Sequence, residues 1–310
     1  MKDLWTEKYR PNKMAGYVFR DNAQKEQVQE WVNSGAIPHL LFSGVQGAGK
    51  TTLAKLLLNE LGAHEYDVKM INASSNNGVD YIRDSVENFA TVMPYGDFKY
   101  IILDEADYLS PNAQAALRGV MEKYSNSLRF ILTCNYPNKV IPAIHSRCQG
   151  FHIQNLDKTE YTARMAEILI TEGVEFDLEV LDTFVKTTYP DMRKCINLCQ
   201  QNVKGSKLMP PSADDGASQS DAQLMMVALF KEKRYKEARE VICKQIAPDE
   251  FEDLFRFMYQ NLEFWAEGNS DKEDECILVI RNGLVKHVSC ADQEINISAT
   301  LIELEMVASA

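Results

Sequence analysis

The sequence predicts an α/β protein: a parallel sheet with helices on both faces, followed by an all-helical remainder. Three observations predict it. Short, almost continuous apolar runs alternate with amphipathic stretches up to residue 153, the pattern of strands buried on both faces. A phosphate-loop sequence, Gly44-Val45-Gln46-Gly47-Ala48-Gly49-Lys50-Thr51, joins an apolar run to a helical pattern. After Gln154 the periodicity is helical throughout.

The 310 residues accommodate one large domain or two to three smaller ones, and 45% hydrophobic with 25% charged residues is an ordinary globular composition. No apolar run approaches the length of a membrane span. Met1-Lys2-Asp3-Leu4-Trp5 lacks the apolar core of a signal peptide, so a cytoplasmic, non-secreted protein is expected, in the host cytoplasm if viral. The seven cysteines are scattered, without a C-x-x-C pair; Cys195 and Cys199 lie four apart on a predicted helix. Reduced thiols explain them better than zinc or disulfides. The net charge of −12 is uneven: residues 201–310 carry 12 basic and 20 acidic side chains, a net of −8. A DNA-binding face on the first two thirds remains open, although composition does not suggest one.

Trp5-Thr6-Glu7-Lys8-Tyr9-Arg10-Pro11 reads by composition as a surface arm. Leu40-Leu41-Phe42 is the first strand, and Thr52 to Leu58 continues as a helix beyond the loop. Each loop position has a chemical task. The glycines allow a tight turn in which successive N–H groups, from Gly47, Ala48 and Gly49 into Lys50, Thr51 and Thr52, point at phosphate oxygens. Lys50 adds a mobile charge for the β- and γ-phosphates, and the Thr51 hydroxyl can hold Mg²⁺. A glycine-rich turn that binds nothing would not need strand, loop and helix in this order, with the helix dipole facing the phosphates.

Val68–Ile71, Tyr100–Leu103, Phe130–Thr133 and Phe151–Ile153 are the further strands; Val79–Met93 and Asn112–Tyr124 are helices between them. Such sheets bind ligands at the carboxyl ends of their strands. There the third strand ends in Asp104-Glu105-Ala106-Asp107. Asp104 suits the Mg²⁺ shell and Glu105 the polarisation of an attacking water. The alternative is a cluster of helix-start residues before the helix that follows Ser110. Asn135 ends the next strand; an amide there suits a γ-phosphate or water contact, and equally a turn.

Residues 158–203 read as helical, broken at Thr188-Tyr189-Pro190-Asp191. Residues 204–220 are rich in Gly, Pro and Ser and read as a linker. Beyond them, Pro248, Asp249 and Glu250 mark a helix start, and Phe251, Leu254, Phe255 and Met258 form an i, i+3, i+4, i+7 stripe. Three compact units are expected.

These residues also carry a family resemblance. Trp-x-Glu-Lys-Tyr-Arg-Pro at 5–11, Pro38-His39-Leu40-Leu41, Asp-Glu-Ala-Asp at 104–107, Leu117-Arg118-x-x-Met121-Glu122 and Ser146-Arg147-Cys148 occur in order, and Pro190-Asp191-Met192-Arg193-Lys194 resembles a lid motif. Together, over about residues 4–200, they resemble the AAA+ sliding-clamp loader subunits of the replication factor C small-subunit type. The short chain, and proline where cellular members usually have glycine at 190, look closest to the large clamp-loader subunit of T-even-type phages.

The resemblance implies an AAA+ nucleotide-binding domain over 1–156, a helical lid over 157–205, a linker over 206–220 and a helical collar over 221–310. It implies an ATPase that binds ATP with Mg²⁺. It also implies partners: a sliding clamp, primer–template DNA, further copies of the ATPase subunit and a distinct partner subunit, with no membrane. Thr6, Glu7, Lys8, Tyr9 and Val18 would line the adenine pocket. Asn135 would be sensor 1, Arg193 on the lid sensor 2, and Arg147 the arginine finger for a neighbour's ATP; a lone arginine after a strand end is more commonly a surface residue. Gln114 and Arg118 would relay DNA binding, and Asn77, Arg83, Asn112 and Lys139 would face DNA. One departure stands out: residues 72–80 hold no Lys or Arg where relatives carry a basic switch, so Asn77 takes a weakened form of that role or the switch is absent. Two other readings compete. One is a different AAA+ machine, such as a helicase loader or branch-migration motor. The other is a nucleotide-binding scaffold, which the intact phosphate loop and acidic pair argue against.

Overall fold

The computed structural model describes residues 4–75, 77–154, 156–210, 219–246, 250–266, 269–287 and 289–309. Packing divides the chain into two compact units. One comprises Met1–Met165 with Pro190–Asn197, the other Ala166–Tyr189 with Leu198–Ala310.

The first unit opens with α1 (Trp5–Lys8) and α2 (Asn22–Ser34), capped by the Asp21 carboxylate on the Gln24 N–H and stopped by Gly35 at φ 66°. Then follow β1 (Leu40–Gly44), α3 (Lys50–Glu60), β2 (Val68–Asn72), α4 (Val79–Ala90), β3 (Lys99–Asp104), α5 (Pro111–Lys123), β4 (Leu128–Cys134), α6 (Pro142–His145) and β5 (Gln149–Ile153). The five strands form one sheet in the order β2-β3-β4-β1-β5, and every pairing is parallel. Every residue of β1 is buried, as are all of β4 but Arg129 and all of β3 but Asp104. These three read as continuous apolar runs for that reason. Edge strand β5 alternates buried and exposed residues at Phe151-His152-Ile153, because only one of its sides is covered. Leu41, Ile71, Ile101, Leu103, Phe130 and Leu132 pack with α4 and α5 in one core.

Two predicted bounds shift. The helix expected to reach Met93 ends at Ala90, leaving Val92 and Met93 exposed. Asp67, buried at the foot of β2, accepts the Tyr95 and Gly96 N–H groups at 2.8 and 2.9 Å and draws the chain back towards β3. Helix α5 starts on Ser110, whose hydroxyl accepts the Ala113 N–H, with Pro111 at its first turn.

From α7 (Lys158–Thr171) onward the chain is mostly helical, and the boundary between the units runs through α7 and through α9 (Met192–Gln201). The expected single break becomes two. A turn with Gly173 at φ 67° separates α7 from α8 (Leu178–Thr188), and Glu175 there bridges to Lys207. The expected linker is partly structured: β6 (Val203–Lys204) and β7 (Lys207–Leu208) form a hairpin with Leu208 buried. Residues 211–218 of that linker, and Pro248 and Asp249 of the predicted helix start, lie outside the described residues.

The second unit continues with α10 (Gln219–Lys231), α11 (Tyr235–Gln245), α12 (Phe251–Gln260), α13 (Leu262–Ala266), α14 (Ser270–His287) and α15 (Gln293–Ser309). The predicted stripe of Phe251, Leu254, Phe255 and Met258 is buried in its core. Gly283 lets α14 and α15 pack closely, since a Cβ there would collide with Thr300, and the Asn296 amide donates to the Gly283 carbonyl at 3.0 Å.

Candidate nucleotide site

Parallel register brings the working residues to one sheet edge. Gly44 ends β1 opposite Ile153, Ser43 lies beside Cys134, and Asp104 closes β3 one residue beyond the Leu103–Leu132 pair. Between β1 and α3 the loop turns through Gly47 at φ 74° and Gly49 at φ 89°, a region that favours glycine. Both sites are crowded: a Cβ on Gly47 would overlap the Asp191 carboxylate, and one on Gly49 would come within 2.9 Å of the Tyr17 ring. No side chain caps α3 among the described residues, which leaves its first N–H groups available to a ligand.

Lys50 is buried, and its ammonium donates to the Gly44 carbonyl (2.9 Å), the Val45 carbonyl (2.7 Å) and the Asn135 Oδ1 (2.7 Å). Burial lowers its pKa, and Arg193 acts in the same direction; Cys134, Asp104 and Asp107 oppose them. The Asn135 amide thus touches the loop lysine, from the strand end where the sequence placed it.

The acidic motif meets the loop directly. The Thr51 hydroxyl donates to Asp104 Oδ1 at 2.6 Å, and the Thr133 hydroxyl donates to the same oxygen at 2.5 Å. Thr133 in turn accepts the Glu105 N–H at 3.1 Å. Glu105 has φ 57°, one of three non-glycine residues with positive φ among those described. Such a conformation costs about 1–3 kcal/mol and clusters at working sites. Here it turns the chain sharply after Asp104, so that both consecutive acids line one cleft with Lys50, Thr51, Asn135 and Arg193. Thr133 escaped the sequence reading because a threonine in a strand run signals β-propensity as readily as chemistry.

A neighbouring lobe of the cleft is less polar. Thr6, Glu7, Tyr9 and Val18 line it together with Gly47, Ala48, Gly49 and Thr52. The N-terminal arm is therefore part of the cleft, not a surface appendage, and Trp5 anchors it in the core. Lys8 does not line the lobe; its ammonium sits 5.2 Å over the Tyr9 ring. Arg10, which the sequence reading passed over, lines both lobes with Arg193, and its Nε donates to the Thr52 hydroxyl at 3.4 Å. Tyr17, also missed, has its hydroxyl 3.5 Å from the Ala48 carbonyl, and burial pushes its pKa up. Asp191 caps α9 by accepting the Lys194 N–H at 2.9 Å, which fixes the turn that carries Arg193.

Other predicted residues lie elsewhere. Arg147 lines neither lobe: its guanidinium pairs with Glu122, which also lies 3.9 Å from Arg118, and donates to the Ala143 carbonyl at 2.7 Å. Gln114 is buried; its amide donates to the Leu109 and Lys139 carbonyls (3.1 and 3.0 Å), and its oxygen accepts the Ile141 N–H (2.8 Å). It ties the start of α5 to the chain after β4. Asn77, Arg83, Asn112 and Lys139 are exposed. Asn77 immediately precedes Gly78, the N-cap of α4, and Asn112 is in the first turn of α5; Arg83 is a full turn into α4.

Residues 40–155 match the family described as ATPase family associated with various cellular activities (AAA). The replication factor C small subunit of Sulfurisphaera tokodaii is 35% identical over 311 residues, covering 97% of this chain and 94% of that protein. That of Methanococcus vannielii is 37% identical over 251 residues, 79% of each chain. The Methanocella arvoryzae protein is 39% identical over 202 residues, and that match spans 64% of this chain and 62% of the relative. Among solved structures, the RuvB Holliday junction branch migration motor of Thermotoga maritima aligns with TM-score 0.55 over 72% of this chain and 80% of its own, at 16% identity. At that identity the likeness is one of fold, and the branch-migration alternative is not favoured. The phosphate loop, the acidic pair joined to it and the near-full-length similarity lead to one conclusion: the chain belongs to the replication factor C small-subunit family of AAA ATPases.

Proposed function

We propose that this ATPase works as a subunit of a sliding-clamp loader, in which ATP binding opens the clamp and hydrolysis, triggered by primer–template DNA, releases it. The observation that carries the reading is the 2.6 Å contact between Thr51 and Asp104, which joins the two motifs of an NTPase site in one cleft. A hydroxyl and a carboxylate side by side are hard oxygen donors suited to Mg²⁺. Mg²⁺ held there would neutralise charge on the β- and γ-phosphate oxygens.

The chain's own residues do the rest. Loop N–H groups and the start of α3 cradle the phosphates, and Lys50 supplies the cation. Because lysine only donates, the Asn135 atom it touches is the oxygen, which leaves the Asn135 NH₂ to meet the γ-phosphate or the water. Glu105 polarises that water. Arg193 approaches from α9, and Thr6, Glu7, Tyr9 and Val18 receive the base, with the segment 157–205 serving as lid and 221–310 as collar. Arg147, outside both lobes of its own site, acts on the ATP of an adjacent copy. The exposed Asn77, Arg83, Asn112 and Lys139 meet DNA phosphates, and Gln114 and Arg118 carry that signal to the acids.

Two inactive variants test the arrangement. Arg147→Ala should bind ATP in its own loop while turnover falls by about 10³-fold, the usual worth of an arginine finger. Lys50→Ala should be inactive through loss of binding. Mixing the two creates interfaces with an intact loop and an intact finger, and partial clamp- and DNA-dependent activity should return. If mixed assemblies form by mass measurement yet stay inactive, Arg147 does not act in trans.

A further inference from the structure

Asp107 is the last acid of the Asp104–Asp107 motif and the one to which neither metal nor water chemistry falls. It is buried, with 7% of its surface exposed. Its Oδ2 accepts two consecutive backbone N–H groups, from Asn135 at 3.2 Å and Tyr136 at 3.0 Å. Its Oδ1 is buried with no hydrogen-bond partner among the described residues. A buried carboxylate oxygen left unpaired is costly, so the group is retained for what the other oxygen does or for its charge. That other oxygen holds the chain at the point where β4 ends and the Asn135 side chain reaches Lys50.

We propose that Asp107 is a positioning residue for ATP hydrolysis, fixing the backbone of Asn135 so that its amide is aimed at the γ-phosphate. The juxtaposition is direct. Two N–H groups converge on one oxygen, which sets the direction in which the Asn135 Cα–Cβ bond leaves the strand end. The Asn135 Oδ1 then docks on the Lys50 ammonium, which leaves its NH₂ for the γ-phosphate, and Asn135 lines the cleft. Thr133 performs the corresponding service for Asp104 and for the Glu105 backbone. The motif and the strand beside it thereby brace each other twice across β3 and β4. The buried charge also faces Lys50 and favours its protonated state against the burial that opposes it. The inference rests on the reading of Asn135 as the phosphate contact.

The test is a mutant cycle in the full chain, assembled as it purifies, with ATP affinity, kcat and melting temperature measured on each variant. Asn135→Ala should slow kcat. Asp107→Ala should slow kcat by up to about 10²-fold, the cost of misplacing a reacting group by about 1 Å, with ATP affinity changed less than about threefold. Asp107→Asn keeps an acceptor oxygen for both N–H groups and should restore kcat to within about tenfold of the parent. The double variant should be no slower than Asn135→Ala alone, because one residue acts through the other. Should Asp107→Ala fail to fold, Asp107→Ser, whose hydroxyl accepts one of the N–H groups, carries the same comparison. An unchanged kcat in Asn135→Ala overturns the phosphate-contact reading and the inference with it. A slow Asn135→Ala combined with additive losses, or with an Asp107 variant of unchanged kcat, overturns the inference alone.

Discussion

A lysine ammonium ringed by two loop carbonyls and the Asn135 amide is poised to exchange those oxygens for phosphate. Lys50→Ala should therefore abolish tight ATP binding, whereas Glu105→Gln should keep it and slow hydrolysis by about 10²-fold or more, the usual cost of losing a general base. Equilibrium binding of labelled ATP beside single-turnover hydrolysis separates the two; normal hydrolysis by Glu105→Gln would remove Glu105 from its role. Thr133→Val tests a residue that only the structure revealed. It deletes a hydroxyl that donates to Asp104 and accepts from Glu105, and hydrogen bonds to charged groups are worth about 1.5–3 kcal/mol. Hydrolysis should fall by at least about tenfold with the fold intact, and Thr133→Ser should recover most of it. Gly47, Lys50, Thr51, Asp104 and Glu105 were legible because their chemistry demands a fixed spacing along one chain. Thr133 and Tyr17 were not. They meet the site from other elements, and nothing in a linear sequence says that Ser43 lies beside Cys134.

The central strands were legible as elements, since burial on both faces leaves an apolar run with few interruptions. Their order was not, because β1 pairs with β4 and β5 through contacts of long sequence separation. The β6–β7 hairpin was hidden in Gly- and Ser-rich sequence, where turn formers resemble a linker. At the amino end of the inner strand β1, His39 Nδ1 accepts the Phe130 N–H of β4 at 3.1 Å, which requires an unprotonated nitrogen. Burial, with the Arg129 charge, lowers its pKa from 6.5 to about 4. A depressed histidine pKa means that the unfolded chain binds the proton more readily. The contribution of His39 to stability is thus fully present above pH 6.5 and is lost as the pH falls from there towards 4. The melting temperature should decline over that interval, and His39→Gln, which does not titrate, should decline less. Equal slopes in the two proteins would refute the assignment.

At the scale of the molecule, a net charge of −12 leaves little general attraction for nucleic acid. If, as proposed, ATP assembles several copies so that their few exposed side chains and helix starts converge, DNA binding should require ATP, and it should weaken steeply with salt. Tight, nucleotide-independent binding by the isolated chain, measured by fluorescence anisotropy, would contradict this. The order of the sheet also has a consequence in time. Leu40 on β1 pairs with Ile131 on one side and with Gln149 on the other. A nascent chain that has emerged as far as β3 can join β2 to β3, but the strand carrying the phosphate loop has no neighbour yet. At about 5–20 residues per second, β1 waits several seconds as an apolar ribbon with both edges unpaired. A ribosome paused in that window would hold β1 with neither neighbour, and its pairing with β5 comes only once Ile153 is free to lie beside Gly44.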